Sequence, residues 1–151
     1  MPADRPIAKS PNHQIDTVYP LRHFPDHVEP FPTIYYLTDP ALLHAMSELE
    51  RQQFIGRFEQ RLRDDADLMA AYHADHVQYR DTRWAMLTDA DRAIVEASAS
   101  LSRSFRGGIA GIANFDTVKC LHAHYAHHLA AAPTGGTTIG RLIDEQLKPR
   151  N

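Results

Sequence analysis

Cysteine is nearly absent from this chain, and its scarcity excludes several classes of small protein. One cysteine among 151 residues permits neither an internal disulfide nor a structural zinc site built from several cysteines of the chain. No apolar run approaches the roughly 20 residues that a membrane-spanning helix needs. Residues 1–6 lack the apolar core of a secretory signal. We therefore expect a cytoplasmic protein that has no membrane partner.

An excess of basic charge is also missing. The formal net charge is −3, and a mildly acidic chain lacks the basic field that attracts nucleic-acid phosphates. The composition therefore disfavours a nucleic-acid partner. Hydrophobic residues make up 43% and charged residues 23% of the chain, which is ordinary for a globular protein of single-domain length.

Proline is plentiful but concentrated in residues 1–32, which hold seven of the ten prolines. Since proline fixes φ and lacks a backbone N–H, we predict a proline-rich extended arm there. Residues 33–151 are predicted to form a single helical domain. Residues 33–38 are β-branched and aromatic, which predicts one short strand. Its partner comes either from residues 17–19 of the arm or from a second subunit.

Several helix-start signals follow this strand. Asp39 is the expected N-cap of a helix that has Pro40 at its first position, and Gly56 is the expected break before a second helix. Thr88 begins a motif resembling a capping box. The chain is therefore predicted to be mainly α, with five or six helices and one short β-strand pair; the later helices cover about residues 65–86, 88–105, 117–131 and 139–147.

Histidine is the unusual residue, with ten in the chain, and it is concentrated on the predicted helix 117–131. At about 100° per residue, four apolar residues of this helix form one continuous core face. They are Val118, Leu121, Tyr125 and Leu129. Cys120, His124 and His127 fall together on the opposite side, so neither face resembles a charged solvent face.

A thiolate and two imidazoles one helical turn apart can bind one transition metal, and zinc or iron(II) suits these ligands best. Cys120, His124 and His127 are therefore candidate metal ligands. An open fourth position would make the site catalytic, whereas a fourth protein ligand would make it structural. One alternative is acid–base chemistry without a metal. The other is that this face packs in the core or against a partner. The protein would then be a non-catalytic regulatory or assembly module, with a second copy or another protein as its partner.

Two further features have both a functional and a structural interpretation. His73 and His76 lie three residues apart on one helix, where a polar helix face is favoured over a metal site. The loop 107–112 precedes a helix, and Arg103 and Arg106 are close to it in sequence. Backbone amides at such a position favour anions, so the loop is either a small anion site or a tight turn between packed helices.

Three ordered segments carry a resemblance to a known family. They are residues 29–40 (EPFPTIYYLTDP), 118–124 (VKCLHAH) and 139–142 (IGRL). Together with residues 47–50 and 108–112, they resemble the bacterial domain-of-unknown-function family numbered 501 over about residues 10–145. The resemblance supplies a family and not a reaction.

The resemblance also implies something about the metal hypothesis. Members of the family look to have a cysteine at the position of Asp39 and a Cys-Pro pair at the position of Ser10 and Pro11, and Cys120 matches a third cysteine. Three cysteines brought together would imply a metal or redox centre in those relatives. This chain keeps one of the three, which weakens a zinc or iron–sulfur centre here. A mixed site of Cys120, histidine and Asp39 stays open, with metal-assisted hydrolysis as its least specific reaction class.

Overall fold

The computed structural model describes residues 6–9 and 14–148. Ser10 and Pro11, the implied counterparts of the family's Cys-Pro pair, lie outside these described residues. Within the described ranges the protein is mainly helical, with seven α-helices. They are α1 (Pro40–Arg51), α2 (Phe54–Asp64), α3 (Ala66–Ala85), α4 (Asp89–Glu96), α5 (Ala99–Ser104), α6 (Leu121–Ala130) and α7 (Thr138–Leu147).

Short strands precede α1 and form two small antiparallel sheets. The strands are β1 (Pro6–Lys9), β2 (Ile15–Val18), β3 (Leu21–His23), β4 (Val28–Pro30) and β5 (Tyr35–Leu37). Strand β2 pairs with both β1 and β5, with Ile15 opposite Leu37, and β3 pairs with β4. The predicted strand β5 therefore finds its partner in the proline-rich segment, which was one of the two predicted alternatives.

The prediction of a single strand pair was wrong, and the extended arm is not confirmed, because its described part contains four strands. The prolines allow this because they lie at strand ends or between strands. Pro6 begins β1, Pro30 ends β4, and Pro20 and Pro25 lie in connections. A proline in these places removes no hydrogen bond from the middle of a sheet.

The helices are more numerous than predicted because one predicted helix is divided, and one predicted break is in the wrong place. The chain turns at Gln53, which is left-handed at φ 69°, so Gly56 lies inside α2 and is not the break. The helix predicted from Thr88 to Phe105 is two helices, α4 and α5. The Ser98 hydroxyl accepts a hydrogen bond from the Leu101 amide and caps the second of them.

Helix α6 begins at Leu121, four residues later than the predicted start at Thr117. Carboxylates of neighbouring helices are the reason. The Val118 amide donates to Glu59 at 2.8 Å, and the Leu121 amide donates to Glu50 at 2.8 Å. Because acids outside the segment satisfy these amides, residues 117–120 stay non-helical and the helix starts only at Leu121.

Helix α6 lies at the centre of the molecule and packs against β5, α1 and α7. Its predicted core face is largely confirmed: Val118, Leu121 and Tyr125 are buried, and Leu129 is half-buried against the same core. None of the helices in the described part of the chain combines the length and the apolar composition that spanning a bilayer requires.

Asp39 caps α1 as predicted, and its carboxylate accepts hydrogen bonds from the amides of Ala41 at 2.9 Å and Leu42 at 3.4 Å. Asp39→Ala is expected to lower the free energy of unfolding by about 1 kcal/mol, since one capping acceptor is lost. Urea unfolding measures this loss. Asp39→Asn is the matched control, because asparagine caps about as well as aspartate. An Asn variant as unstable as the Ala variant would contradict the capping account.

Candidate functional site

Three side chains with metal-ligating atoms meet where the end of α1 faces the start of α6. Glu50 lies in the last turn of α1, Cys120 immediately precedes α6, and His122 is the second residue of α6. One ligand atom of each lies within 4.8 Å of the other two. Across residues 6–9 and 14–148, no other set of three histidine, cysteine or acidic side chains meets that spacing.

Glu50 organises this group. Its Oε2 accepts the Leu121 backbone amide at 2.8 Å and lies 3.1 Å from His122 Nδ1. A carboxylate at the start of a helix is stabilised by the exposed amides and the helix dipole. The other ring nitrogen of His122 lies 3.2 Å from the Ser47 hydroxyl. Two side chains of α1 therefore fix the orientation of the His122 ring.

A small cavity of about 260 Å³ opens at this group, and Cys120 and His122 line it. Most of the remaining wall is aromatic and aliphatic, from Tyr35, Tyr36, Leu37 and Leu43 among others. Cys120 is half-exposed and its thiol is free. A thiol and an imidazole at the edge of a largely apolar cavity are accessible to a ligand, unlike the other histidines of α6 described next.

His124 and His127 point into the protein interior and face buried groups of α3. They are 1% and 2% exposed, and His76 of α3 is 0% exposed. The His127 ring donates to the Gln78 side-chain carbonyl across 2.8 Å, and His76 Nδ1 accepts the Ile109 amide at 3.1 Å. His124 Nε2 lies 3.5 Å from the Tyr72 hydroxyl. These contacts make the histidines part of the core.

Burial keeps these imidazoles neutral. It lowers the pKa of His76 to about 3 and the pKa of His127 to about 4, and it holds the pKa of His124 well below its ordinary value. Desolvation is the main cause because a charged ring loses its hydration in the interior. Neighbouring histidines add to the shift, since a second positive charge nearby is unfavourable.

The four predicted metal ligands lie in three different environments. Cys120 belongs to the group with Glu50 and His122. His124 and His127 are in the core, and Asp39 caps α1. The group of three therefore contains only Cys120 from the predicted set. His73 and His76, the other histidine pair noted in the sequence, also lie in different environments. His73 is partly exposed and forms a hydrogen bond with Asp116 at 2.6 Å, whereas His76 is buried.

Sequence reasoning missed Glu50 and His122 for one identifiable reason. The sequence predicted a helix that starts at Thr117. That start placed Cys120 inside the helix, on the same side as His124 and His127. Because α6 begins at Leu121, the Cys120 side chain belongs to the incoming segment and the helical wheel does not apply to it. The segment 47–50 contributes to the family resemblance, and it was the available signal for Glu50.

Comparison with known proteins gives one match. A family model described as "Protein of unknown function (DUF501)" matches residues 9–145. No curated protein and no solved structure matches the chain.

Proposed function

The chain belongs to the DUF501 family, and on that premise we propose that it binds a transition-metal ion, with zinc as the best match, through Glu50, Cys120 and His122. The observation that carries this proposal is the convergence of a carboxylate oxygen, a thiol sulfur and an imidazole nitrogen within 4.8 Å of one another. Zinc binds these three atom types in proteins, whereas magnesium and calcium prefer oxygen alone.

The spacing is close to what a bound ion requires. Zinc–ligand distances of about 2.0–2.3 Å in a tetrahedron set ligand atoms roughly 3.3–3.8 Å apart. Small side-chain rotations of Cys120 and His122 close the difference, and both are only partly buried. Metal would displace the proton between His122 Nδ1 and Glu50, so binding is expected to weaken as pH falls.

Three protein ligands leave a fourth coordination position. The 260 Å³ cavity lined by Cys120 and His122 would offer space for a ligand at that position. Zinc with an open position lowers the pKa of a bound water and polarises a bound substrate oxygen. This arrangement supports metal-assisted hydrolysis, the least specific reaction class for the metal site predicted from the sequence.

A second candidate function is a non-catalytic regulatory or assembly module. The observation in its favour is the burial of His124 and His127, which are 1% and 2% exposed. Under this candidate the histidine-rich helix is a packing element, and Glu50 serves only to cap α6 and to bind His122. A chelator would then leave the protein unchanged.

Elemental analysis of protein purified without a polyhistidine tag tests the proposal. Wild type is expected to hold about one zinc ion per chain after reconstitution and dialysis, and its melting temperature is expected to fall with chelator. Cys120→Ser and His122→Ala are each expected to abolish stoichiometric zinc. His44→Ala is the matched control, because His44 is an exposed histidine on the same helix as Glu50.

The same measurement separates the two ligand sets. If Glu50, Cys120 and His122 hold the ion, folded His124→Ala protein retains its zinc. If the set predicted from the sequence holds it, His124→Ala and Asp39→Ala lose zinc instead. Sub-stoichiometric zinc in wild type, with identical melting curves with and without chelator, would reject both sets and favour the assembly module.

A further inference from the structure

We propose that the protein binds a small phosphate ester in a cationic cavity adjoining the Glu50–Cys120–His122 group. This inference names the class of ligand that the proposed metal site would act on. It rests on the proposed function only where it places the ligand near a bound metal. The cavity has a volume of about 640 Å³, and the charged side chains that line it are Arg103, Arg106 and Lys119. All three are cations, and none of the described residues that line the cavity is a carboxylate.

The three cations come from different segments and line one cavity. Arg103 lies in α5, Arg106 follows it, and Lys119 precedes α6. Other arginines in the protein do pair with acids, as Arg61 does with Glu145. Within the described part of the chain, no ion pair joins a cavity cation to a carboxylate. Like charges held together without partners create a positive potential that attracts an anion.

One wall of this cavity is held by a fully buried arginine of α3. Arg83 is 0% exposed, and its guanidinium donates to the backbone carbonyls of Phe31 and Ser104, each at 2.8 Å. It also donates to the Ser104 hydroxyl at 3.2 Å. Ser104 and Pro32, which follows Phe31, both line the cavity. The wall is therefore ordered before any ligand arrives, which lowers the entropic cost of binding.

The chemistry of the lining suits a phosphate. Each guanidinium offers a planar fork of N–H donors that matches phosphate oxygens, and a lysine adds a point charge. Two arginines and one lysine suit the double negative charge of a phosphate monoester. The cavity is of small-molecule size, and the net charge of −3 disfavours an extended nucleic-acid backbone.

The position of the cavity connects it to the proposed metal. Ala110 and Lys119 line both this cavity and the smaller one at Cys120. Lys119 also directly precedes Cys120 in the chain. A phosphate ester held by the arginines would therefore extend past Lys119 toward Cys120 and His122.

Calorimetric titration of metal-free protein with inorganic phosphate, and separately with glycerol phosphate, tests this inference. Wild type is expected to bind both saturably. Arg103→Gln/Arg106→Gln is expected to weaken each by at least about tenfold, because charge-assisted hydrogen bonds are lost. Arg61→Gln/Arg63→Gln changes the net charge equally on α2, outside the cavity, and is expected to bind like wild type.

The outcomes keep this inference distinct from the metal proposal. Cys120→Ser is expected to lose zinc yet retain phosphate affinity. Arg103→Gln/Arg106→Gln is expected to retain zinc and lose phosphate affinity. Absence of saturable phosphate binding by wild type overturns the inference, as does equal weakening in the α2 control. Binding of inorganic phosphate without the ester overturns the assigned ligand class. Phosphate that binds only with zinc present, and is unaffected by the arginine changes, also overturns the cationic site.

Discussion

Lowering the pH from 7 to 5 is expected to reduce the free energy of unfolding by on the order of 4 kcal/mol, through the buried histidines His76 and His127 alone. Burial lowers the pKa of His76 to about 3 and that of His127 to about 4. In the unfolded chain each ring returns to about 6.5. Below that pH the unfolded state binds protons that the folded state does not, so stability falls as the pH drops.

The pH window follows from these values. Above about pH 6.5 the rings are neutral in both states and contribute no slope. Between pH 6.5 and about 4, each buried histidine contributes roughly 1.4 kcal/mol per pH unit. Ordinary carboxylates, with pKa values of about 4, titrate mainly below about pH 5. Urea unfolding at pH 7, 6 and 5 and constant ionic strength measures the slope.

Matched variants assign the slope to the two histidines. His76→Asn keeps an acceptor for the Ile109 amide, and His127→Gln keeps a donor for Gln78. Each is expected to remove about one proton from the pH dependence. His44→Asn, on the exposed part of α1, is expected to keep the wild-type slope. A double variant that retains the full slope between pH 6 and 5 would show that these rings titrate normally in the folded protein.

Truncation of Leu121 is the substitution expected to destabilise the fold most. Leu121 is 0% exposed and belongs to the main core cluster together with residues of α1, α2 and α7. Leu121→Ala is expected to lower the free energy of unfolding by about 2–5 kcal/mol, because apolar burial is lost and a cavity remains. Chemical denaturation measures the effect, with an unchanged m-value indicating an unchanged unfolded state.

Leu43→Ala makes the same chemical change on the protein surface and is the control. Leu43 is 37% exposed, so less apolar area is buried there and the expected loss is under about 1 kcal/mol. A loss below about 0.5 kcal/mol for Leu121→Ala, well short of a core truncation, would mean that the core face of α6 has been misassigned.

Local patterns in the sequence predicted much of the fold because they act over a few neighbouring residues. Asp39 before Pro40 predicted the start of α1, and Thr88 predicted the start of α4; both caps are present. The apolar spacing of Val118, Leu121 and Tyr125 predicted a core face that is buried. Residues 33–38 predicted a strand, and the family resemblance over the chain is confirmed.

Contacts between distant residues decided what these local patterns missed. The start of α6 depends on amides that bind Glu50 and Glu59, 71 and 59 residues away from their donors. Because Glu50 and Glu59 lie outside residues 117–131, the apolar periodicity of that segment carries no information about them. A shift of four residues at a helix start was enough to separate Cys120 from His124 and His127.

By itself, the sequence determined that this is a mainly helical member of its family with a histidine-rich central helix. Only the tertiary structure decided which side chains share a site. It buried His124 and His127 against α3, brought Glu50 to Cys120 and His122, and collected Arg103, Arg106 and Lys119 around one cavity. The physical reason is that helix periodicity fixes neighbours within one turn, whereas a site is assembled by packing between elements far apart in the chain.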